Sequence, residues 1–115
     1  RQLRHISRIT SGEDDVTKPY KDAPRVVARP ESTYLVVDML RAVINEGTGA
    51  GARGAGFTLD AAGKTGTTND YHDAWFVGYT TTLVTGVWVG FDQPKTIFPN
   101  GYAADVAVPM WTTFM

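Results

Sequence analysis

Two hydrophobic periods divide this chain. Over residues 32–46, Val36, Met39, Leu40, Val43 and Ile44 recur at the three-and-four spacing of one buried helical stripe. Asp38, Arg41 and Asn45 lie off its centre, Ser32 is placed to cap the start, and Gly47 ends it. After residue 60 the pattern shortens to that of strands. Residues 61–68, 74–79 and 83–91 read as three strands, with a turn at residues 69–72 and a link through Thr80-Thr81-Thr82. Such short connections favour antiparallel neighbours. The third segment is almost continuously apolar, which suits a strand covered on both faces. Gly78, Gly86 and Gly90 would let a helix lie close to the sheet. Residues 104–115 predict a final helix through Val106, Val108, Met110, Trp111 and Phe114, with Pro109 inside it or near its first turn.

The remaining segments are less regular. Residues 3–10 predict a short strand, residues 11–15 a polar turn, and Val26-Val27 a second short strand. Lys18-Pro19 and Ala23-Pro24 keep the chain between them extended or looping. Gly47, Gly49, Gly51, Gly54 and Gly56 crowd one stretch. It reads either as a flexible loop or as backbone that must pass close to something.

The chain has 115 residues and a formal net charge of -1. That size fits one domain or a piece of one, and near-neutrality argues against a nucleic-acid or membrane-surface role. There is no cysteine, so disulfides and thiolate metal sites are excluded. No His or carboxylate cluster has metal-ligand spacing, and no apolar run approaches the roughly 20 residues of a membrane span. Arg1 opens the sequence and Met115 closes it inside an apolar pattern, so both ends are expected to be cuts through a longer polypeptide.

The densest chemistry is Ala62-Gly63-Lys64-Thr65-Gly66-Thr67-Thr68-Asn69. On a strand, Lys64, Gly66 and Thr68 share one face and Thr65 and Thr67 the other. Beside a cleft, this strand would offer a cation, hydroxyl donors and a bare backbone. That set suits a carboxylate and a developing oxyanion. Spacing and context both argue against a phosphate-binding loop, because Thr58 stands where its first glycine belongs and a turn and a strand pattern follow in place of a helix. His72 beside Asp73 looks like a dyad, but a histidine in a turn is ordinarily solvated and Asp73 suits a hydrogen bond within the turn. Trp75, Trp88 and Trp111 sit in apolar patterns and read as core.

Lys64-Thr65-Gly66-Thr67-Thr68-Asn69, continued by Asp73-Ala74-Trp75-Phe76, resembles class A penicillin-binding proteins. So do Gly86-Val87-Trp88-Val89-Gly90-Phe91-Asp92, residues 43–49, and residues 107–115 with Pro109, Trp111 and Phe114. The resemblance covers residues 32–115, and residues 1–31 form a poorly matched lead-in. It implies an α/β fold in which an antiparallel sheet is sandwiched by helices, as in penicillin-binding proteins and serine β-lactamases, and is incomplete in this chain. It also implies a D,D-transpeptidase that cross-links peptidoglycan stem peptides ending in D-Ala-D-Ala, through a serine acyl-enzyme that β-lactams also form. By position, Lys64 and Thr67 are then catalytic: Lys64 keeps the cleft positive, and the Thr67 N–H is half of the oxyanion hole. Thr65, Gly66, Thr67 and Thr68 are substrate-binding. No cofactor or metal is implied.

The departure from the family is the nucleophile. The only serines are Ser7, Ser11 and Ser32, and none begins a Ser-x-x-Lys or a Ser-x-Asn motif. The chain is therefore expected to be the C-terminal part of one transpeptidase domain, whose N-terminal half with both motifs comes from a separate chain or was lost. Its parent is expected on the extracytoplasmic (periplasmic) face of the bacterial cytoplasmic membrane, with membrane anchoring only through that parent. The alternatives are a serine β-lactamase or D,D-carboxypeptidase, and a non-catalytic peptidoglycan-binding module of the same fold.

Overall fold

The computed structural model describes residues 8–17 and 26–115. Residues 3–7 of the first expected strand and both X-Pro steps lie outside them. Thr10–Ser11 (β1) and Asp14–Asp15 (β2) form a minimal antiparallel hairpin where the sequence predicts the end of a strand and a turn. Val26 and Val27 are exposed and belong to no strand.

Helix α1 runs Pro30–Asn45 and begins two residues before the predicted cap. Pro30 supplies the reason: its fixed φ and missing N–H suit the first helical position, so Ser32 falls inside the first turn. The Thr33 hydroxyl and N–H both donate to the Arg29 carbonyl at 3.0 Å. Of the predicted stripe, Ile44 is fully buried, Leu40 and Val43 are half-buried, and Val36 and Met39 are exposed. Only the end of α1 therefore meets the core. The glycine-rich stretch is ordered rather than loose, and contains a single helical turn, Gly51–Gly54 (α2).

The strands Ala62–Thr67 (β3), Asp73–Tyr79 (β4) and Val84–Gly90 (β5) form an antiparallel sheet in the order β3-β4-β5. Register pairs Lys64 with Val77, Thr65 with Phe76, Gly66 with Trp75 and Thr67 with Ala74. The Thr80 hydroxyl closes the β4–β5 turn by accepting from the Leu83 N–H at 3.2 Å. Helix α3, Ala103–Phe114, carries Pro109 inside it. Proline there removes one helical hydrogen bond, yet the helix continues because its inner face, Ala103, Ala107, Val108 and Trp111, is buried.

The core forms where the end of α1, α2 and α3 meet the sheet face that carries Ala74, Phe76 and Gly78. Phe57 and Phe76 each meet the Trp111 ring edge-on at 5.1 Å. Gly63 and Gly78 stand opposite each other in the register. A methyl group on Gly63 would come within 2.7 Å of the Phe76 ring, and one on Gly78 within 2.6 Å of the Trp111 indole. Both glycines make room for aromatic rings. Gly86 and Gly90 do not face a helix: one meets only Val77 and the other the Trp88 side chain and Asp73.

The opposite face of the sheet is exposed around Trp75 and Trp88, while at its end Ala62 is buried and lines a pocket with Val37 and Arg41 of α1. Trp75 is 47% exposed and Trp88 43%, tilted against each other at 6.4 Å between ring centres. Of the three tryptophans, only Trp111 is core. In β5, Val87 and Val89 pack on the core while Val84 and Trp88 face outward, so the strand is covered on one side, not two. Among the described residues no helix is long and apolar enough to cross a membrane.

Candidate active site

Strand β3 pairs with β4 along one side only, so among the described residues its other side is a free edge. Cross-strand partners share a face of the sheet. Thr65 and Thr67, opposite Phe76 and Ala74, therefore lie on the helical face, and Lys64 and Gly66 on the other. Each hydroxyl of the helical face meets a different element. The Thr65 Oγ1 is 2.7 Å from the Thr48 Oγ1, which comes from the turn after α1. The Thr67 Oγ1 accepts the Ala103 N–H at 3.0 Å. Ala103 is the first residue of α3, and Tyr102 before it offers no side-chain cap. Thr67 thus satisfies one of the helix's orphan N–H groups from another strand.

Lys64 is exposed, and its Nζ turns back along β3 to donate to the Thr65 carbonyl at 2.8 Å. The ammonium thereby approaches the backbone of a residue whose side chain points the other way. Gly66 differs from the two structural glycines. A methyl group there would meet only the Trp75 Cβ, at an ordinary 3.6 Å. Among the described residues nothing requires glycine at this position.

Beyond Thr67 the strand ends in a tight loop. The Thr68 Oγ1 accepts the Asp73 N–H at 2.8 Å, and the Thr68 N–H donates to the Asp73 carbonyl at 3.0 Å. The Asp73 Oδ1 accepts the Trp88 indole N–H at 2.8 Å. Thr68 and Asp73 therefore hold the loop. Residues Asn69–Tyr71 make a short 3-10 turn in which Asp70 (φ 58°) and Tyr71 (φ 56°) are left-handed. Asn100, at φ 61°, is the third non-glycine residue in that region. Such backbone costs about 1–3 kcal/mol per residue and persists where its surroundings enforce it. Here they do: the Tyr71 hydroxyl lies 3.2 Å from that of Tyr102 and 3.3 Å from Asn100 Oδ1. The bond to Tyr102 raises the Tyr71 phenol above its ordinary range. Thr67, Thr68, Asn69, Asp70, Tyr71 and Tyr102 line an open depression of about 520 Å³ at this end of the strand.

The arrangement can present hydroxyl donors, an ammonium and, among the described residues, a strand edge with no paired neighbour to an anionic chain end. Of the described serines, Ser11 lies in β1 and Ser32 in the first turn of α1. Among the described residues no group of three or more His, Asp or Glu side chains is placed to hold a metal ion. Two participants escaped the sequence reading, Thr48 and the start of α3. The signal for Thr48 was a threonine between two glycines, Gly47-Thr48-Gly49, where the glycines alone drew notice.

Comparison with known proteins places these features in a wider set. The family model described as "Penicillin binding protein transpeptidase domain" matches residues 1–112. Penicillin-binding protein 1A of Neisseria gonorrhoeae is 44% identical over 95 residues, covering 83% of this chain and 12% of that protein. The Pseudomonas aeruginosa protein of the same name is 50% identical over 84 residues, or 73% of this chain and 10% of the relative. The crystal structure of penicillin-binding protein 1A from Haemophilus influenzae superposes with a TM-score of 0.72 at 33% identity, covering 81% of this chain and 15% of that one. The chain thus spans about an eighth or less of the length of these curated relatives.

Proposed function

The chain belongs to the penicillin-binding protein transpeptidase family, and from that premise we propose that it is the C-terminal part of a D,D-transpeptidase domain that cross-links peptidoglycan stem peptides. Residues 32–115 supply the substrate-gripping strand, the hairpin and the terminal helix. The remaining part of that domain supplies the Ser-x-x-Lys and Ser-x-Asn motifs, together with further helices against the sheet. The observation that carries the reading is the edge of β3, free among the described residues, which also make no demand for glycine at Gly66. A peptide ending in D-Ala-D-Ala lies along this edge as an added strand, where a side chain at position 66 would block it.

The chemistry follows from the donors. The serine Oγ of that remaining part attacks the carbonyl between the two D-alanines. Negative charge develops on that carbonyl oxygen and is met by the Thr67 N–H, a fixed dipole that needs no reorganisation. The C–N bond then breaks, the terminal D-alanine leaves with a proton on its amine, and the acyl-enzyme remains. An amine of a neighbouring stem peptide attacks the ester and releases the serine. Thr65 and Thr67 hydroxyls donate to the substrate's terminal carboxylate. One lone pair of the Thr67 oxygen already accepts from Ala103, which leaves its proton for the ligand. Lys64 adds positive charge at the same edge, and Thr68 fixes the loop that bounds it. β-Lactams acylate the same serine because they carry an equivalent carboxylate and a strained amide. The parent protein is anchored in the cytoplasmic membrane with this domain on the periplasmic face.

A labelled penicillin tests the reading. The isolated chain should take no covalent label, and the chain combined with its Ser-x-x-Lys-bearing part should take one label per serine. Labelling of the isolated chain overturns the assignment of the nucleophile elsewhere. Rapid hydrolysis of the acyl-enzyme in the assembled domain would support a β-lactamase or carboxypeptidase instead. Failure of that domain to acylate would support a non-catalytic module.

A further inference from the structure

We propose that Thr48 is a positioning residue for carboxylate recognition: its hydroxyl donates to the Thr65 oxygen and so turns the Thr65 proton toward the ligand. The inference rests on the carboxylate-binding reading of Thr65 and adds a residue outside the Lys-Thr-Gly-Thr strand. Its basis is the 2.7 Å separation of the two hydroxyl oxygens, from residues 17 apart in the chain. A threonine hydroxyl has one proton and two lone pairs. When Thr65 gives its proton to a carboxylate, only Thr48 can donate in the Thr48–Thr65 bond. With Thr48 as donor, the Thr65 hydroxyl is already oriented before ligand arrives, and no reorganisation falls on the binding step.

The backbone around Thr48 is built to hold it still. The Gly47 N–H donates to the Ala42 carbonyl and the Gly49 N–H to the Val43 carbonyl, both at 2.9 Å. The last turn of α1 therefore grips the residue on each side of Thr48. These contacts leave no room for a side chain at Gly47 and little at Gly49. A methyl group on Gly47 would sit 2.9 Å from the Val43 Cα, and one on Gly49 would sit 3.1 Å from the Val43 carbonyl oxygen and 3.4 Å from the Phe76 ring. Neither glycine is left-handed, so close approach and not a turn conformation accounts for them. The glycine-rich stretch thus has a defined task at its start. It presses against α1 and Phe76 and delivers one hydroxyl to β3. Phe76 is also the register partner of Thr65, so both ends of the bridge lie beside the same residue. Thr48 itself is exposed, and its side chain is not needed to fill the core.

The test uses the assembled transpeptidase domain, with acylation rates measured for a penicillin bearing its free carboxylate and for its methyl ester. Thr48→Val should slow acylation by the carboxylate form about tenfold, the scale of one misdirected hydrogen bond to a charged group, and leave the ester unchanged. Thr48→Ser should restore the wild-type ratio. Thr65→Val should narrow the same ratio, and adding Thr48→Val to it should change nothing further. A Thr48→Val variant that slows both compounds equally, or neither, overturns the positioning role. Loss of the effect in Thr65→Val as well would refute the carboxylate-binding reading itself, so the two failures are told apart.

Discussion

Replacing Thr67 with valine separates the structural and the chemical work of one hydroxyl. Valine keeps the shape and removes the oxygen. In the wild-type protein that oxygen accepts the Ala103 N–H at 3.0 Å, and Ala103 is 1% exposed. Water therefore has little access to the donor left behind. Leaving a buried N–H unpaired costs about 1–3 kcal/mol, and loss of an N-terminal cap falls in the same range. Hydrogen exchange reads this directly. If the first turn of α3 opens locally, protection of the Ala103 amide should fall about five- to 150-fold, which is that energy range as an equilibrium constant. Amides in the middle of β4 should hardly change. Thr67→Ser keeps the acceptor and should retain most of the protection. Acylation of the assembled domain by a carboxylate-bearing β-lactam should fall in Thr67→Val by about tenfold or more, because a hydrogen bond to a charged group is lost. Unchanged protection at Ala103 in Thr67→Val, or an equal loss in Thr67→Ser, would refute the argument that this hydroxyl caps the helix.

Three further outcomes follow from the same geometry. Gly66→Ala should leave stability within about 0.5 kcal/mol by denaturant unfolding, since its methyl group meets only the Trp75 Cβ at 3.6 Å, while acylation falls because the strand edge is obstructed. Gly78→Ala should destabilise by about 1–3 kcal/mol in the same experiment, since its methyl group would lie 2.6 Å from the buried Trp111 indole; wild-type stability in this variant would disprove the close approach. The Tyr71 phenol, raised chiefly by its bond to Tyr102, is neutral and bonded below the ordinary tyrosine range, and that bond is lost only as pH rises through the raised value. Absorbance titration should therefore show a late-ionising phenol that Tyr102→Phe moves back down, and an unmoved titration would exclude the bond.

Local pattern already specified much of the fold. The three-and-four stripe before Gly47 and the final apolar run gave helices, and the short apolar runs gave three antiparallel strands, because side-chain periodicity follows from local backbone geometry. The motif residues Lys64, Thr65, Gly66 and Thr67 were legible for the same reason, being contiguous on one strand. Ser32 misled because the cap preference was weighed without Pro30, whose ring sets the first turn by itself.

What a residue touches depended on how distant segments dock. Gly63, Gly66 and Gly78 are the same residue in one sheet, yet two clear space for the Phe76 and Trp111 rings and the third has only the Trp75 Cβ at an ordinary distance. Trp75, Trp88 and Trp111 read alike in sequence, but Trp111 is buried between α3 and one face of the sheet, while Trp75 and Trp88 stand half-exposed on the other. The Thr48–Thr65 bond spans 17 positions and the Thr67–Ala103 bond 36. A hydrogen bond tolerates only a few tenths of an ångström and a narrow angle. Hydrophobic periodicity fixes which face a side chain points to, but not which partner arrives there, and that is settled only when the helices seat on the sheet.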